Sequence, residues 1–387
     1  MMMFFRDECE WKEKNAYHTA SEIFQQPGTW RKTEKLVGIK KEAVNDFVSA
    51  VTDHTDFDII LTGAGTSEFV GNALMPVLQK AYGYHVKSFA TTDITSDPES
   101  YLPPEKPVLL VSFARSGNSP ESLATVQLAE QICRNVRHLI ITCSENGALA
   151  SWSAERKNCF LVLLPPETND AGFAMTSSFT NMYLAAYLAL MPRKQWDDKV
   201  ERTAVNGEFF LEKGWKKFGN LIETFDFDRI VYLGSGPLKG VAQECALKMC
   251  ELTQGAVDTV FNSPMGFRHG PKSVIHDRTL TVLFLSDNDY TRKYERDLIM
   301  EMAREKKGNK IVVVASCDDP VRVYADRFVS LRNEERQGDA WNALVFVMAG
   351  QLTGMLKSVR CGIMPDDPCP SGEVNRVVQG VVIHPYR

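Results

Sequence analysis

The chain contains one sequence segment twice, and this duplication restricts its fold more than any other feature. Asp58-Ile59-Ile60-Leu61-Thr62-Gly63-Ala64-Gly65 is a short apolar run entering a glycine turn, and Asp228-Arg229-Ile230-Val231-Tyr232-Leu233-Gly234-Ser235-Gly236 repeats it. Val108-Leu109-Leu110-Val111-Ser112 is matched by Val282-Leu283-Phe284-Leu285-Ser286, and Leu139-Ile140-Ile141-Thr142 by Val312-Val313-Val314-Ala315. The three matches come in the same order at a nearly constant spacing of about 170 residues, which marks an internal repeat. None of the runs alternates, as expected for strands covered on both faces. Helix-like stretches such as Pro120 to Arg134 and Tyr290 to Lys306 separate them. Strands alternating with helices give a parallel sheet with right-handed crossovers and helices on both faces.

The expected organisation is therefore an α/β chain with two domains of similar topology, residues 41–200 and 201–360. Residues 1–40 form a helical arm, with a helix from Tyr17 to Gln26 stopped by Pro27-Gly28 and a helical pattern resuming from Arg31 to Ala50. Residues 361–387 form a tail. Pro365, Pro368, Pro370 and Gly372 make its first part a loop, and Val377-Val378-Gln379-Gly380-Val381-Val382-Ile383 reads as a docked strand or packed segment.

Composition removes several function classes. Forty-four basic against 49 acidic residues give a net charge of −5, with no basic footprint for tracking a nucleic-acid backbone. No apolar run approaches the ~18–20 residues that cross a bilayer, and the N-terminal stretch turns acidic too soon for a secretory signal, so a cytoplasmic location and no membrane partner are expected. The nine cysteines include no CxxC pair, and Cys133, Cys143, Cys245 and Cys250 sit in apolar-periodic segments. They read as reduced core thiols, with no disulfide framework and no zinc site.

Ligands of open α/β sheets bind at the carboxyl ends of strands, which directs attention to the loops after the apolar runs. Gly63-Ala64-Gly65-Thr66-Ser67-Glu68 combines a tight turn with two hydroxyls beside the free amides of a helix N-terminus. It lacks the third glycine of a dinucleotide fingerprint and the Gly-Lys-Ser/Thr of a P-loop. Anion binding and a plain strand-to-helix turn fit it equally well. The second loop is more specific: Ser112, Ser116, Ser119 and Ser122 gather around Arg115, with Pro120 suited to a first helical turn. Hydroxyls, amides and the positive end of a helix dipole suit a phosphate of about −1.5 to −2 charges, and Arg115 can add a charge-assisted bond. Serine capping of a surface turn is the competing reading. The scarcity of cations argues against a nucleoside triphosphate with Mg²⁺.

In the second half, a helix opening at Gly234-Ser235-Gly236-Pro237 and running through Gln254 carries Glu244, Lys248 and Glu251 on one polar stripe. By spacing alone Glu251 is a solvated partner of Lys248. Further on, Arg268-His269-Gly270-Pro271 places an imidazole on a turn. No residue spacing suggests a metal site or a Gly-x-Ser-x-Gly elbow.

At these residues the chain resembles the sugar isomerase (SIS) domain superfamily. It is similar to the isomerase half of glucosamine-6-phosphate synthase, and more closely to the AgaS family of galactosamine-6-phosphate deaminase/isomerases, also described as tagatose-6-phosphate ketose/aldose isomerases. The similarity is carried by the two loops above, by Gly172-Phe173-Ala174-Met175-Thr176-Ser177-Ser178, Ala246-Leu247-Lys248-Met249-Cys250-Glu251-Leu252-Thr253 and Gly266-Phe267-Arg268-His269-Gly270-Pro271-Lys272, and by Val374-Asn375-Arg376-Val377-Val378-Gln379-Gly380.

The resemblance implies two flavodoxin-like, three-layer αβα domains and a homodimer or homotetramer with active sites near the subunit interface. It implies a hexosamine or ketose 6-phosphate as substrate, no cofactor, and a tail that closes the site. Ser67, Ser116 and Ser119 match phosphate-contacting positions, with Thr66, Ala114, Arg115, Phe173 and Arg376 as further substrate-binding residues. Glu251 matches the catalytic base, which reverses its reading from spacing, and His269 matches the histidine of sugar-ring opening, donated in the synthase by the neighbouring subunit. The chain departs from the synthase at Gln379, where a tail lysine is expected, and it has no amidotransferase domain. The implied reaction turns galactosamine 6-phosphate into tagatose 6-phosphate and ammonia. Simple ketose/aldose isomerisation and noncatalytic sugar-phosphate sensing are the alternatives.

Overall fold

A computed structural model describes residues 2–331, 335–378 and 380–386. The chain forms two compact units, one made of residues 28–170, 177–200 and 371–387, the other of residues 1–27, 171–176 and 201–370.

The first unit is built on β1 (Asp58–Gly63), β2 (Val86–Ala90), β3 (Val108–Ala114), β4 (Val136–Thr142) and β5 (Cys159–Leu163). They form an all-parallel sheet in the order β2-β1-β3-β4-β5, with Thr62 opposite Ser112 at the carboxyl end of the β1/β3 pair. This is the flavodoxin-like order, and its switch point lies between β1 and β3. Every residue of β1 and β3 is buried, which explains their lack of alternation. The helices used below are α1 (Gln26–Thr52), α2 (Thr66–Tyr82), α3 (Pro120–Ile132) and α4 (Ser177–Leu190). Val126 of α3 packs into the core with Ile60, Leu110 and Ile140. Lys41 of α1 donates to the carbonyls of Leu188, Ala189 and Met191 at 2.7, 2.9 and 2.9 Å, tying down the end of α4. Burial lowers its ammonium to about 8.

The second unit repeats the plan with β6 (Arg229–Leu233), β7 (Asp258–Asn262), β8 (Thr279–Phe284), β9 (Lys310–Ala315) and β10 (Arg327–Ser330). The order β7-β6-β8-β9-β10 is again parallel throughout. Its principal helices are α5 (Pro237–Leu252), α6 (Asp289–Arg304) and α7 (Asp339–Arg360). A side chain at Gly350 of α7 would overlap Cys245 of α5, so glycine permits the close approach of these two helices. Helices Glu8–Glu13 and Tyr17–Phe24 belong to this unit, and the Asp366 carboxylate accepts from the amides of His18 and Thr19 at 2.9 and 2.7 Å.

Several sequence expectations need correction. The break in the arm falls at Gln25, before Pro27 and not at it: the helix that begins at Tyr17 ends at Phe24 and α1 starts at Gln26, where proline in a first turn removes an amide that has no helical partner. The tail forms no strand among its described residues. Cys133, Cys143 and Cys245 are buried free thiols, but Cys250 is exposed, because it sits on the far side of α5 from Cys245 and Met249. Among the described residues no helix is long and apolar enough to cross a membrane.

Candidate active site

Two loops meet at the switch point of the first sheet. After β1, Gly63 must lack a side chain because a Cβ there would overlap Ser67, and Gly65 adopts φ +55° to let the chain enter α2. Thr66 and Ser67, the first residues of α2, are 4% and 5% exposed. No side chain caps this helix end. Glu68 follows, half-buried, its carboxyl raised by burial while accepting from Asn72 Nδ2 at 3.1 Å.

The adjacent strand β3 ends at Ala114 and leads through Arg115, Ser116, Gly117 (φ +68°) and Asn118 to Ser119, which precedes α3. Pro120 occupies the first helical position, and again no side chain caps the helix. Ser119 Oγ lies 2.5 Å from Ser122 Oγ, and Ser116 Oγ accepts from the Asn118 amide at 3.3 Å. Asn118 Oδ1 takes the Ala148 amide at 2.9 Å and fixes the loop against the turn after β4. The positive ends of two helices and four serine or threonine hydroxyls thus lie at the carboxyl ends of neighbouring strands.

Arg115 is 6% exposed and donates from Nη2 to the backbone carbonyl of Arg376 at 2.6 Å. Arg376 in turn donates from Nε to the Asp170 carbonyl at 3.0 Å and from Nη2 to Asn169 Oδ1 at 3.3 Å. Asp170 anchors the start of α4, its carboxylate accepting from the Ser177 and Ser178 amides at 3.0 and 2.8 Å. The structure therefore joins Thr66, Ser67, Ala114, Arg115, Ser116, Ser119 and Arg376 in one unit. Sequence reading missed Asn169 and Asp170; an isolated Asn-Asp in a loop carries no motif that announces a tail anchor. Gln379 lies outside the described residues.

Phe173, Glu251 and His269 belong to the second unit. Phe173 is half-buried in a segment whose Ala171 and Gly172 amides donate to the Glu22 carboxylate at 2.5 and 3.2 Å. Glu251 lies in the last turn of α5 with its side chain 25% exposed, and it accepts from Lys248 Nζ at 2.5 Å. Lys248 also faces Glu244 at 3.5 Å, and both of those side chains are essentially buried. The polar stripe of α5 is thus an interior ion triad with one end open to solvent. Carboxylates at a helix C-terminus oppose the dipole, and Lys248 offsets that cost. His269 is exposed, on a turn shaped by the short helix Pro264–Phe267 and by Gly270 at φ +114°. Ser263 Oγ caps the short helix, accepting from the Gly266 amide at 3.1 Å. The neighbours Arg268 and Lys272 are both tied to Glu301. Among the described residues no group of His, Cys, Asp and Glu is arranged to hold a metal ion.

Comparisons with known proteins agree with this architecture. The SIS domain family matches residues 56–192 and 225–356. A Streptomyces coelicolor protein provisionally named D-galactosamine-6-phosphate deaminase AgaS is 44% identical over 374 residues, covering 96% of each chain. The D-galactosamine-6-phosphate deaminase AgaS of a Shewanella species is 39% identical, covering 96% of this chain and 92% of its own. A Clostridium novyi structure provisionally described as a tagatose-6-phosphate ketose/aldose isomerase superposes with a TM-score of 0.95 at 40% identity, covering 100% of both chains.

Proposed function

This chain belongs to the SIS domain family, and on that premise we propose that it is an amino-sugar-phosphate deaminase/isomerase converting D-galactosamine 6-phosphate to D-tagatose 6-phosphate and ammonia. The observation that carries this reading is near full-length identity to proteins named as that deaminase. The two uncapped helix ends with their hydroxyls support it as a place for a phosphate.

Ser67, Ser116 and Ser119 bind the phosphate, with Thr66, the Ala114 backbone and Arg115 around it, and Phe173 and Arg376 help to enclose the sugar. His269 shuttles the ring proton when the sugar opens, a general acid–base role that an imidazole on an exposed turn can serve. In the open form the C2–H bond lies next to the aldehyde and is acidic. Glu251 takes that proton and returns it to C1, giving C1 two hydrogens and leaving a C2 ketimine. Water adds to the ketimine carbon, ammonia leaves, and the ketose phosphate remains, which makes the net reaction a C–N hydrolysis. Lys248 holds the Glu251 carboxylate in one orientation. Phosphate binding remote from C2 fixes the register of the reacting carbons. The enzyme acts in the cytoplasm as a homo-oligomer.

With a hydroxyl at C2 the same transfer is ketose/aldose isomerisation, a second reading favoured by the description of the Clostridium structure. The two are separated by measuring ammonia release from galactosamine, glucosamine and N-acetylgalactosamine 6-phosphates. Ammonia from the galacto amine is the expected result; isomerisation of tagatose 6-phosphate without any ammonia from it overturns the deaminase reading. Glu251→Gln should lower turnover by about 10²–10⁴-fold, the usual contribution of general acid–base catalysis. Turnover within a few-fold of wild type removes Glu251 as the base.

A further inference from the structure

The duplication places a second pair of loops at the carboxyl ends of β6 and β8, where β1 and β3 carry the serine-rich cluster in the first unit. Hydroxyl and amide donors remain at these strand ends, but the chain has supplied its own acceptors. Glu295 of α6 takes the Ser235 hydroxyl at 2.7 Å and the Ser286 amide at 2.8 Å. Asp339, at the start of α7, takes the Ser286 hydroxyl and the Asp287 amide, both at 2.6 Å. Asp287 accepts from the Gly338 amide at 3.0 Å, from Asn342 Nδ2 at 2.8 Å and from the Ser316 hydroxyl, and it pairs with Arg292 at 3.2 Å. Even the helix end is closed, since Asn288 Oδ1 accepts the Tyr290 and Thr291 amides at 3.0 Å each.

The contrast with the first unit is residue by residue. Counted from the start of its helix, Glu295 stands where α3 has the apolar core residue Val126. Where the chain passes from Ser112 through Phe113 to Ser119 before α3, it has only Asp287 and Asn288 between Ser286 and α6. Glu295 and Ser286 are wholly buried.

We propose that the second unit retains the anion site of the fold in a self-ligated form. The Glu295 and Asp339 carboxyl groups occupy hydroxyl and amide donors at the strand ends where a phosphate is held in the first unit, so that each chain binds one sugar phosphate and not two. This rests on the phosphate reading of the first unit's loops, and the test separates the two.

Equilibrium dialysis of tagatose 6-phosphate against full-length Glu251→Gln, in which turnover is strongly slowed, should saturate at one per chain; saturation at two overturns the proposal. Adding Ser116→Ala with Ser119→Ala should weaken that binding by at least tenfold. An unchanged count and affinity there overturns the assignment of the first loops instead. Asp339→Ala frees the Ser286 hydroxyl and the Asp287 amide, and in the double-serine background it should restore binding of one inorganic phosphate per chain at millimolar concentration. A folded Asp339→Ala chain that binds none overturns self-ligation. Should that variant fail to fold, the count on the Glu251→Gln chain still decides.

Discussion

Helices α2 and α5 leave their strands by the same turn and carry their polar residues at opposite ends. Gly65 and Gly236 have φ, ψ of 55°, −123° and 54°, −126°, and a Cβ on Gly63 or Gly234 would overlap the helix that follows. In α2 the first residues are Thr66 and Ser67, so the amides and hydroxyls of the helix start face the switch point. In α5 they are Pro237 and Leu238, one without an amide proton and the other without a polar side chain. The polar residues of α5 are displaced to its far end, where Lys248 and Glu251 lie. Duplication has kept a backbone turn because sterics demand it, while the side chains on it were free to diverge.

The largest test of this contrast is Lys248→Met. It leaves Glu244 buried without its counter-charge and should cost about 3–5 kcal/mol in chemical denaturation, the usual penalty for breaking a buried pair. A loss below 1 kcal/mol would mean that the triad is solvated after all. Next, if both turns are held by the same sterics, Gly63→Ala and Gly234→Ala should each lose about 1–3 kcal/mol. A loss at only one position would show that the turns are alike in form but not in cause. At the start of α2, where the phosphate is proposed to bind, Ser67→Ala should weaken tagatose 6-phosphate binding about tenfold, the scale of one hydrogen bond to a charged group, without a change in melting temperature.

The last effect is read as a pH dependence and concerns Glu295, whose carboxyl burial raises from its usual value near 4.5 to about 7, with Asp339 adding to the rise and Arg292 and the Ser235 and Ser286 donors opposing it. The folded state then binds more protons than the unfolded chain between those values. Its contribution to stability is fully present below about 4.5 and is lost as pH rises through about 7. His138 has the opposite sign, since burial lowers its imidazole against the pull of Glu130. The informative quantity is therefore the difference between wild type and Glu295→Gln, which should shift against the wild type as pH rises from 5 to 8 by roughly one to a few kcal/mol. A pH-independent difference would place the Glu295 proton elsewhere.

Much of the fold was legible because parallel strands buried on both faces announce themselves as unbroken apolar runs. Ile59, Ile60 and Leu61 needed no partner to be recognised, and the repeated glycine turn located both sheets. What the sequence concealed was burial of charge. Glu244 and Lys248 have the spacing of a solvated stripe, and only the packing of α5 around Gly350 puts them inside. Likewise Glu295 and Asp339 lie far apart in the chain, so nothing local shows that both close on Ser286. The loops around Ser67 and Ser116 were readable because their chemistry is local; the Arg115 link to the tail was not, because its partner is a backbone carbonyl that every residue possesses.

Membership of the two units also constrains the order of assembly. Residues 371–387 belong to the unit of the first sheet, and residues 1–27 to the unit of the second. A ribosome delivers the N-terminal segment first, yet its packing partners lie in residues 201–370, and the first sheet is made long before the segment holding Arg376 exists. Neither unit can therefore be completed from a contiguous stretch as it is synthesised. Cutting the gene at the boundary of the duplication would give two fragments, each carrying a piece of the other.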